Sequence, residues 1–212
     1  MELTLIRHGQ STGNVAREAA ILAGADALGL GERDSDIPLT PLGERQAAAV
    51  GGYLAGRPPP TLVLSSPYVR ALETARIALA TAGFPPDLRI DERLRDRDLG
   101  AFAGLTPSGI RLGHPEEHAR QAFLGKFYHR PPGGESWTDV ALRLRSLLAE
   151  LPSDGRVLIA THDAVIVLFR YIVEGLTEAE VMEIEKETIG NASVSHWREG
   201  TRVLYNDASF LD

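Results

Sequence analysis

Two arginines and two histidines in this sequence each come soon after a short apolar run. Arg7 and His8 follow the first run, Arg70 stands near the second, and His162 follows the third. An arginine presents a planar fork of donors that suits phosphate oxygens, and a neutral imidazole can attack phosphorus as a nucleophile. Brought to one point, these four side chains would form a pocket for a tetrahedral dianion.

The three apolar runs predict neighbouring strands of one parallel sheet. They span residues 2–7, 61–65 and 156–160, and a polar or glycine-containing segment follows each of them. Neighbouring strands lie about 5 Å apart, and the loops that leave their carboxyl ends diverge to form a crevice. We therefore expect the two arginines and two histidines to converge at this edge of the sheet.

Asn14 would add an amide to the same pocket. It lies in the polar segment that follows the first strand. The amide could donate a hydrogen bond to a phosphate oxygen, and an asparagine in this place could also cap the helix that begins nearby. The two roles are compatible, and we expect Asn14 to bind substrate.

The rest of the chain predicts helices that flank the sheet. One helix should begin at Thr40-Pro41, and another should begin with Ser66 as its N-cap and Pro67 at its first position. Capping boxes at residues 136–139 and 177–180 should open two more helices. The further predicted elements are a helix over residues 164–173, a short strand over 88–91 and a final hairpin over 194–197 and 203–205.

Two irregular segments, at about residues 15–37 and 106–134, interrupt this pattern. The first is predicted as a loop whose alanine-rich start could extend a short helix until Gly24, and the second as a helical insertion and loop. We expect both to overhang the pocket and to select the substrate, since loops on a rigid scaffold carry recognition. The predicted architecture is one α/β domain over residues 1–212, a three-layer sandwich with a mostly parallel central sheet flanked by helices.

Composition excludes several kinds of function. The chain has 212 residues, a net charge of −7 and no cysteine, so it cannot form disulfides or use a thiolate. A nucleic-acid partner would require a broad basic face, and a membrane span would require an apolar run of about 18 residues. With no targeting peptide at the N-terminus, we expect a cytoplasmic protein, and a homodimer is left open beside a monomer.

The remaining histidines do not suggest a metal site. They are expected to be surface or structural residues, because no pair has the spacing of a metal site carried on a helix: His114, His118, His129 and His196. We therefore predict no metal and no cofactor.

Separated motifs in this chain resemble those of the histidine phosphatase superfamily, the phosphoglycerate-mutase-like proteins. They are Arg-His-Gly-Gln-Ser-x-x-Asn at residues 7–14, Ser-Ser-Pro-x-x-Arg-Ala-x-x-Thr-Ala at 65–75 and Thr-His-Asp at 161–163. The resemblance runs from residue 3 to about 175 and implies the phosphoglycerate-mutase-like fold.

The resemblance also implies roles for the four central residues and Asn14. His8 would be the nucleophile that becomes phosphorylated, and Arg7, Asn14, Arg70 and His162 would hold the phosphoryl group. The implied function is a metal-independent phosphomonoesterase that acts on a small phosphorylated metabolite. Two alternatives are a phosphoglycerate mutase, which returns the phosphoryl group to its substrate, and a binding module without turnover.

The proton donor follows the third strand in this family. Asp96 stands where the family often has glutamate, and we expect it to protonate the leaving alcohol. Asp98 and Glu92 compete for this role. Asp163 does too, since acid phosphatases of the same superfamily use the aspartate after the second histidine.

A basic segment at residues 126–136 resembles the one that precedes a helix in fructose-2,6-bisphosphatases. Basic side chains there hold a second anionic group of the substrate. Lys126 and Arg130 are expected to do so here, although the same segment could equally be a solvated loop with ordinary charges.

Overall fold

The computed structural model describes residues 1–85 and 87–211. Its strands are β1 (Glu2–Arg7), β2 (Leu62–Ser65), β3 (Arg89–Ile90), β4 (Arg156–Thr161), β5 (Val194–Arg198) and β6 (Thr201–Asp207). Its helices are α1 (Thr12–Leu22), α2 (Pro41–Ala55), α3 (Val69–Ala82), α4 (Pro107–Gly113), α5 (Pro115–Leu124), α6 (Trp137–Glu150), α7 (Asp163–Val173) and α8 (Glu178–Ile184).

The six strands form one sheet in the order β3-β2-β4-β1-β5-β6. The first four strands in this order are parallel to one another, and β5 and β6 add an antiparallel hairpin at the other edge. The predicted α/β class, the mostly parallel sheet and the final hairpin are therefore confirmed. The order also places β2, β4 and β1 side by side, as the convergence of the candidate residues requires.

Each strand supplies side chains to both faces of the sheet, because successive residues of a strand point in opposite directions. Leu5 and Ile159 pack into a core with residues of α6 and α7. Ile6 and Leu158, their neighbours in sequence, pack into a second core with α2 and α3. Helices thus cover both faces, which makes the three layers that the sequence predicts.

Helix starts agree with the sequence except at α3. The capping boxes of Ser136 and Thr177 are present, and Thr40 caps α2 with Pro41 at its first turn. Ser66, however, is not the N-cap of α3, which begins at residue 69. Its hydroxyl instead accepts a hydrogen bond from the backbone of Tyr68 and contacts a histidine, so the chain turns before it becomes helical.

The two irregular segments meet one another. Residues 15–37 contain most of α1, which ends before Gly24 as the alanine-rich start predicts, and a 3₁₀ turn at Asp34–Asp36. The segment at 106–134 contains α4 and α5, and its first residue, Thr106, donates from its backbone to the carbonyl of Asp26. Gly109 packs so closely against the same carbonyl that a β-carbon there would overlap it. The contact ties the two segments together.

Within the described residues, no helix combines the length and the apolar character that a membrane crossing needs.

Candidate active site

The candidate residues meet because of the register of three parallel strands. Arg7 at the end of β1 pairs with Thr161 at the end of β4, and Ser65 at the end of β2 pairs with Ala160. The segments that follow these strands therefore leave the sheet at one level. The rings of His8 and His162 lie edge to face with their centroids 5.2 Å apart.

His8 is held at both its backbone and its ring. Its N–H donates to the carbonyl of Thr161 at 3.0 Å, and its ring Nδ1 lies 2.7 Å from the carbonyl oxygen of Gly9. A carbonyl only accepts, so Nδ1 carries the proton and Nε2 keeps a lone pair. Within the described residues Nε2 has no hydrogen-bond partner, which leaves it available to attack an electrophile.

Burial and two neighbouring cations keep this imidazole neutral. Desolvation first, and then the charges of Arg70 and Arg7, lower the pKa of His8 to about 3. His8 is buried although it stands at a strand tip, and only 3% of the residue is exposed. Thr161 and His162 at the end of β4 contact it, and a neutral imidazole is a better nucleophile than a protonated one.

Arg70 and Arg7 supply positive charge near His8. Arg70 Nη1 donates to the carbonyl of Asp34 at 2.6 Å and to its carboxylate at 3.1 Å, while Nη2 donates to Asp96 at 3.1 Å. Arg7 Nη1 donates to the carbonyl of Ile189, and its Nη2 lies 3.6 Å from a carboxylate oxygen of Asp163. The Nε of Arg7 is buried without a hydrogen-bond partner in the described structure, so its N–H is available to a ligand.

His162 is fully buried, and its two ring nitrogens have different surroundings. Its Nε2 lies 2.8 Å from the hydroxyl oxygen of Ser66, which already accepts from the N–H of Tyr68. If the Ser66 hydroxyl donates to Nε2, the ring proton resides on Nδ1. Nδ1 lies 3.5 Å from a carboxylate oxygen of Asp96 and makes no hydrogen bond within the described residues. That proton would then point into the pocket, where a phosphate oxygen could accept it.

The two candidate proton donors differ in their electrostatic surroundings. Burial, followed by the charge of Asp163, raises the pKa of Asp96 to about 6, although Arg70 acts against this shift. Burial also acts to raise the pKa of Asp163, but Arg7 and the backbone N–H of Ala164 outweigh it and hold that pKa below its usual range. Asp96 is thus the carboxyl that can carry a proton near neutral pH.

The two other carboxyl groups named by the sequence lie outside this cluster. Asp98 is exposed and accepts from the backbone N–H of Gly100 at 2.8 Å, which closes a turn. Glu92 is exposed at the start of a 3₁₀ turn.

Asn14 takes part in a helix cap, as one of its two predicted roles requires. Its Oδ1 accepts from the backbone N–H and the hydroxyl of Ser11, the N-cap of α1. The amide of Asn191 also donates to Oδ1 at 3.2 Å, and to the carbonyl of His8 at 3.1 Å. The cap thus fixes Asn14 beside the backbone of His8 and leaves its own NH₂ group without a hydrogen bond in the described structure.

Lys126 and Arg130 are both engaged with carboxylates. Lys126 forms an ion pair with Glu185, and its ammonium lies 5.6 Å from the ring centroid of Trp137. Arg130 binds both carboxylate oxygens of Asp139. Within the described chain, neither side chain forms an ion pair or hydrogen bond with a residue of the histidine and arginine cluster.

Three residues of this site were not found from the sequence. Asp34 binds Arg70 from the segment at 15–37. Other acidic residues stand close to it there, and nothing in the sequence distinguishes it from them. Asn191 reaches His8 from the segment before β5, which has no distinctive pattern. Tyr68 packs edge to face on the ring of His162, with the ring centroids 5.2 Å apart. The Ser-Ser-Pro motif directly before Tyr68 is the sequence feature that could have indicated its place in the site.

Comparisons with known proteins identify relatives of this chain. The sequence model of the histidine phosphatase superfamily (branch 1) matches residues 3–204. The 2,3-bisphosphoglycerate-dependent phosphoglycerate mutase 2 of Gloeobacter violaceus is 30% identical over 206 residues, which are 94% of this chain and 87% of that protein. The 6-phosphofructo-2-kinase/fructose-2,6-bisphosphatase of Caenorhabditis elegans is 31% identical over 185 residues, and the match spans 36% of its length.

A solved structure of a relative extends the comparison to the whole fold. It is the mycobacterial glucosyl-3-phosphoglycerate phosphatase in complex with VO3, which superposes with a TM-score of 0.75 at 30% identity over 98% of this chain and 99% of that one. Such agreement in sequence and fold over nearly the full length identifies the family. The chain belongs to the histidine phosphatase superfamily (branch 1) and is an enzyme that acts on phosphate esters.

Proposed function

We propose that the protein is a metal-independent phosphomonoesterase that works through a phosphohistidine at His8. The observation that carries this proposal is the state of the His8 ring: Nδ1 is fixed by the Gly9 carbonyl, Nε2 is unpartnered among the described residues, and the lowered pKa keeps the ring neutral. Such a nitrogen can attack phosphorus without first losing a proton. Arg7 and Arg70 flank it and would stabilise the phosphoryl oxygens.

In the first step the Nε2 lone pair forms a bond to phosphorus while the bond from phosphorus to the ester oxygen breaks. The two arginines, the Nδ1 proton of His162 and the amide of Asn14 would hold the three remaining oxygens. These donors act by position and charge, so the protein needs no metal for this step. The departing alkoxide takes its proton from Asp96, whose raised pKa suits a general acid.

In the second step water replaces the histidine. Asp96, now a carboxylate, takes a proton from the water as its oxygen bonds to phosphorus, and the bond from phosphorus to Nε2 breaks. Phosphate leaves, His8 is neutral again and Asp96 is protonated again. Asp163 would stay ionised beside Arg7 throughout, which supports Asp96 as the proton donor.

A phosphoglycerate mutase would return the phosphoryl group to a second anionic substrate instead of water. The predicted holders of a second anion, Lys126 and Arg130, would first have to release Glu185 and Asp139. This supports hydrolysis as the main reaction. Binding of a second anion at these two residues remains a prediction.

The test is a screen of the purified protein against a panel of phosphomonoesters, with released phosphate as the readout. We expect turnover that persists in EDTA and is blocked by vanadate, as the vanadate complex of the solved relative suggests. Brief incubation with substrate should leave an acid-labile, base-stable phosphoryl group on His8, absent in His8→Ala. Activity that needs a divalent cation, or mutase activity that exceeds hydrolysis, would contradict the proposal.

A further inference from the structure

The pocket holds its two arginines against three carboxylates. Asp163 pairs with Arg7, whereas Asp34 and Asp96 both pair with Arg70. A phosphate dianion bound here would take the arginine donors that these carboxylates now use. Asp96 can accept a proton near neutral pH, but Asp34 would be left as a bare carboxylate at the mouth of the site, where its side chain is 53% exposed.

Asp34 lies beside Asp96, the proposed proton donor. Its Oδ2 and the Oδ2 of Asp96 accept from the same Nη2 of Arg70, at 3.4 and 3.1 Å. The proton donor must touch the ester oxygen, so a carboxylate that shares a nitrogen with Asp96 borders the rest of the alcohol. The carbonyl of Asp34 also accepts from Arg70 Nη1, which fixes this turn of the backbone in place.

On the basis of the phosphomonoesterase proposed above, we propose that Asp34 is a specificity-determining residue that selects phosphate esters whose alcohol carries an ammonium group. An ammonium would replace the arginine charge that Asp34 loses when phosphate binds. A second anion in the same place would face the Asp34 carboxylate, and like charges in a desolvated site reject a ligand. Lys126 and Arg130 are already neutralised by their own partners.

Three phosphonates of similar length test this selection without turnover. They are 2-aminoethylphosphonate, propylphosphonate and 2-carboxyethylphosphonate, which end in an ammonium, a methyl and a carboxylate. Calorimetry at mildly alkaline pH keeps all three phosphonates largely dianionic and the amine protonated. In the wild-type protein we expect the ammonium ligand to bind at least about tenfold more tightly than the carboxylate ligand, with the methyl ligand between them.

Asp34→Asn should reduce that preference to within about threefold, because it removes the charge and keeps the size of the side chain. Asp36→Asn is the matched control. Asp36 lies on the same 3₁₀ turn but pairs with Arg33, and its loss should leave the preference unchanged. Thermal unfolding of each variant checks that the turn remains folded, and the wild-type comparison stands without any variant.

The outcomes separate this inference from the proposed function. Equal binding of the three ligands, or preference for the carboxylate through Lys126 and Arg130, would overturn the selection by Asp34 and leave the phosphomonoesterase intact. An equal gain in affinity for all three ligands in Asp34→Asn would also overturn it, because Asp34 would then only compete with phosphate for Arg70. If no phosphonate and no inorganic phosphate binds the wild-type protein, the phosphate site itself is wrong.

Discussion

Gly9 packs against Gly43 so closely that a β-carbon on Gly9 would overlap the carbonyl oxygen of Gly43 and lie 3.0 Å from its Cα. The contact joins the segment after β1 to the first turn of α2. Because the Gly9 carbonyl fixes the His8 ring and the Gly9 N–H donates to Thr74, this contact also sets the position of the candidate nucleophile.

Gly9→Ala should therefore impair both folding and chemistry. Overlap with rigid backbone should lower the free energy of unfolding by about 1 to 3 kcal/mol. Rotation of the carbonyl should release His8 and lower kcat about tenfold or more, since small displacements of a reacting group are costly. Denaturant unfolding and steady-state kinetics measure the two effects.

Gly52→Ala is the control for that substitution. Gly52 lies within α2 with no neighbouring atom near its missing β-carbon, so alanine should raise the free energy of unfolding by about 0.4 to 1 kcal/mol and leave kcat unchanged. A Gly9→Ala protein with wild-type kcat would show that the carbonyl contact does not position His8.

Acid should destabilise the protein partly through His8. The pKa of His8 is about 3 in the folded protein because burial, Arg70 and Arg7 oppose its protonation, whereas its ordinary value is 6.5. Between these values the unfolded chain binds a proton that the folded chain does not. The free energy of unfolding is therefore undiminished by His8 above about pH 6.5 and falls as the pH decreases below it. From pH 7 to 4.5 the loss due to His8 should be about 2 kcal/mol.

His8→Gln removes this titration. Urea unfolding at pH 7 and 4.5 should show that the variant loses about 2 kcal/mol less than the wild-type protein on acidification. His162 is present in both proteins, and burial and Arg70, the two largest causes of its lowered pKa, are the same in both. Equal losses in the two proteins would mean that His8 is protonated as easily when folded as when unfolded.

The loss of rate caused by Asp96→Asn should depend on how strongly the leaving group needs a proton. An alkoxide needs a proton to depart, whereas p-nitrophenolate leaves nearly unaided. We expect the rate on an alkyl phosphate to fall by about 10² to 10⁴ and the burst with p-nitrophenyl phosphate to fall far less. The burst must be compared, because the later attack of water also uses Asp96.

Asp163→Asn is the matched control for that comparison. Its pKa is held low beside Arg7, and its charge helps to raise the pKa of Asp96, so Asp163→Asn should lower the rate on an alkyl phosphate far less than Asp96→Asn does. If Asp163→Asn shows that dependence and Asp96→Asn does not, the proton donor is the aspartate after His162.

The pH dependence of kcat/KM should also report the proton that Asp96 donates. A general acid acts only while protonated, and the pKa of Asp96 is raised to about 6 by burial and by Asp163. We expect kcat/KM for an alkyl phosphate to decline as pH rises above about 6, with a flatter profile for p-nitrophenyl phosphate. Asp96→Asn should remove the decline, and a decline that persists would assign it to another group.

Ser66→Ala tests the tautomer of His162. Without the hydroxyl, Nε2 loses its partner at 2.8 Å, and the ring proton is free to leave Nδ1. We expect a change in the ¹⁵N shifts of His162 and about tenfold weaker binding of inorganic phosphate, the loss of one hydrogen bond to a charged ligand. Ser65→Ala is the control, because the Ser65 hydroxyl donates to the Ser66 carbonyl and does not touch His162.

The strands and most helices could be predicted because their signals are local. The apolar runs of β1, β2 and β4 and the capping boxes at Ser136 and Thr177 involve residues that are neighbours along the chain. A role predicted from local sequence fails where a distant residue engages the same side chain. Ser66 resembles an N-cap in sequence, but its hydroxyl bonds to His162, which is distant along the chain.

The sequence by itself determined the α/β class and, through the resemblance of its motifs, the family. It also determined the cluster of Arg7, His8, Arg70 and His162, because a parallel sheet brings strand ends together whatever the details of its loops. Only the tertiary structure decided the protonation of that cluster. The pKa values of His8 and Asp96 depend on burial and on charges from separate segments. The approach of Asp34 to Arg70 likewise depends on how the first overhanging segment folds back over the sheet, which its acidic, glycine-rich sequence does not encode locally.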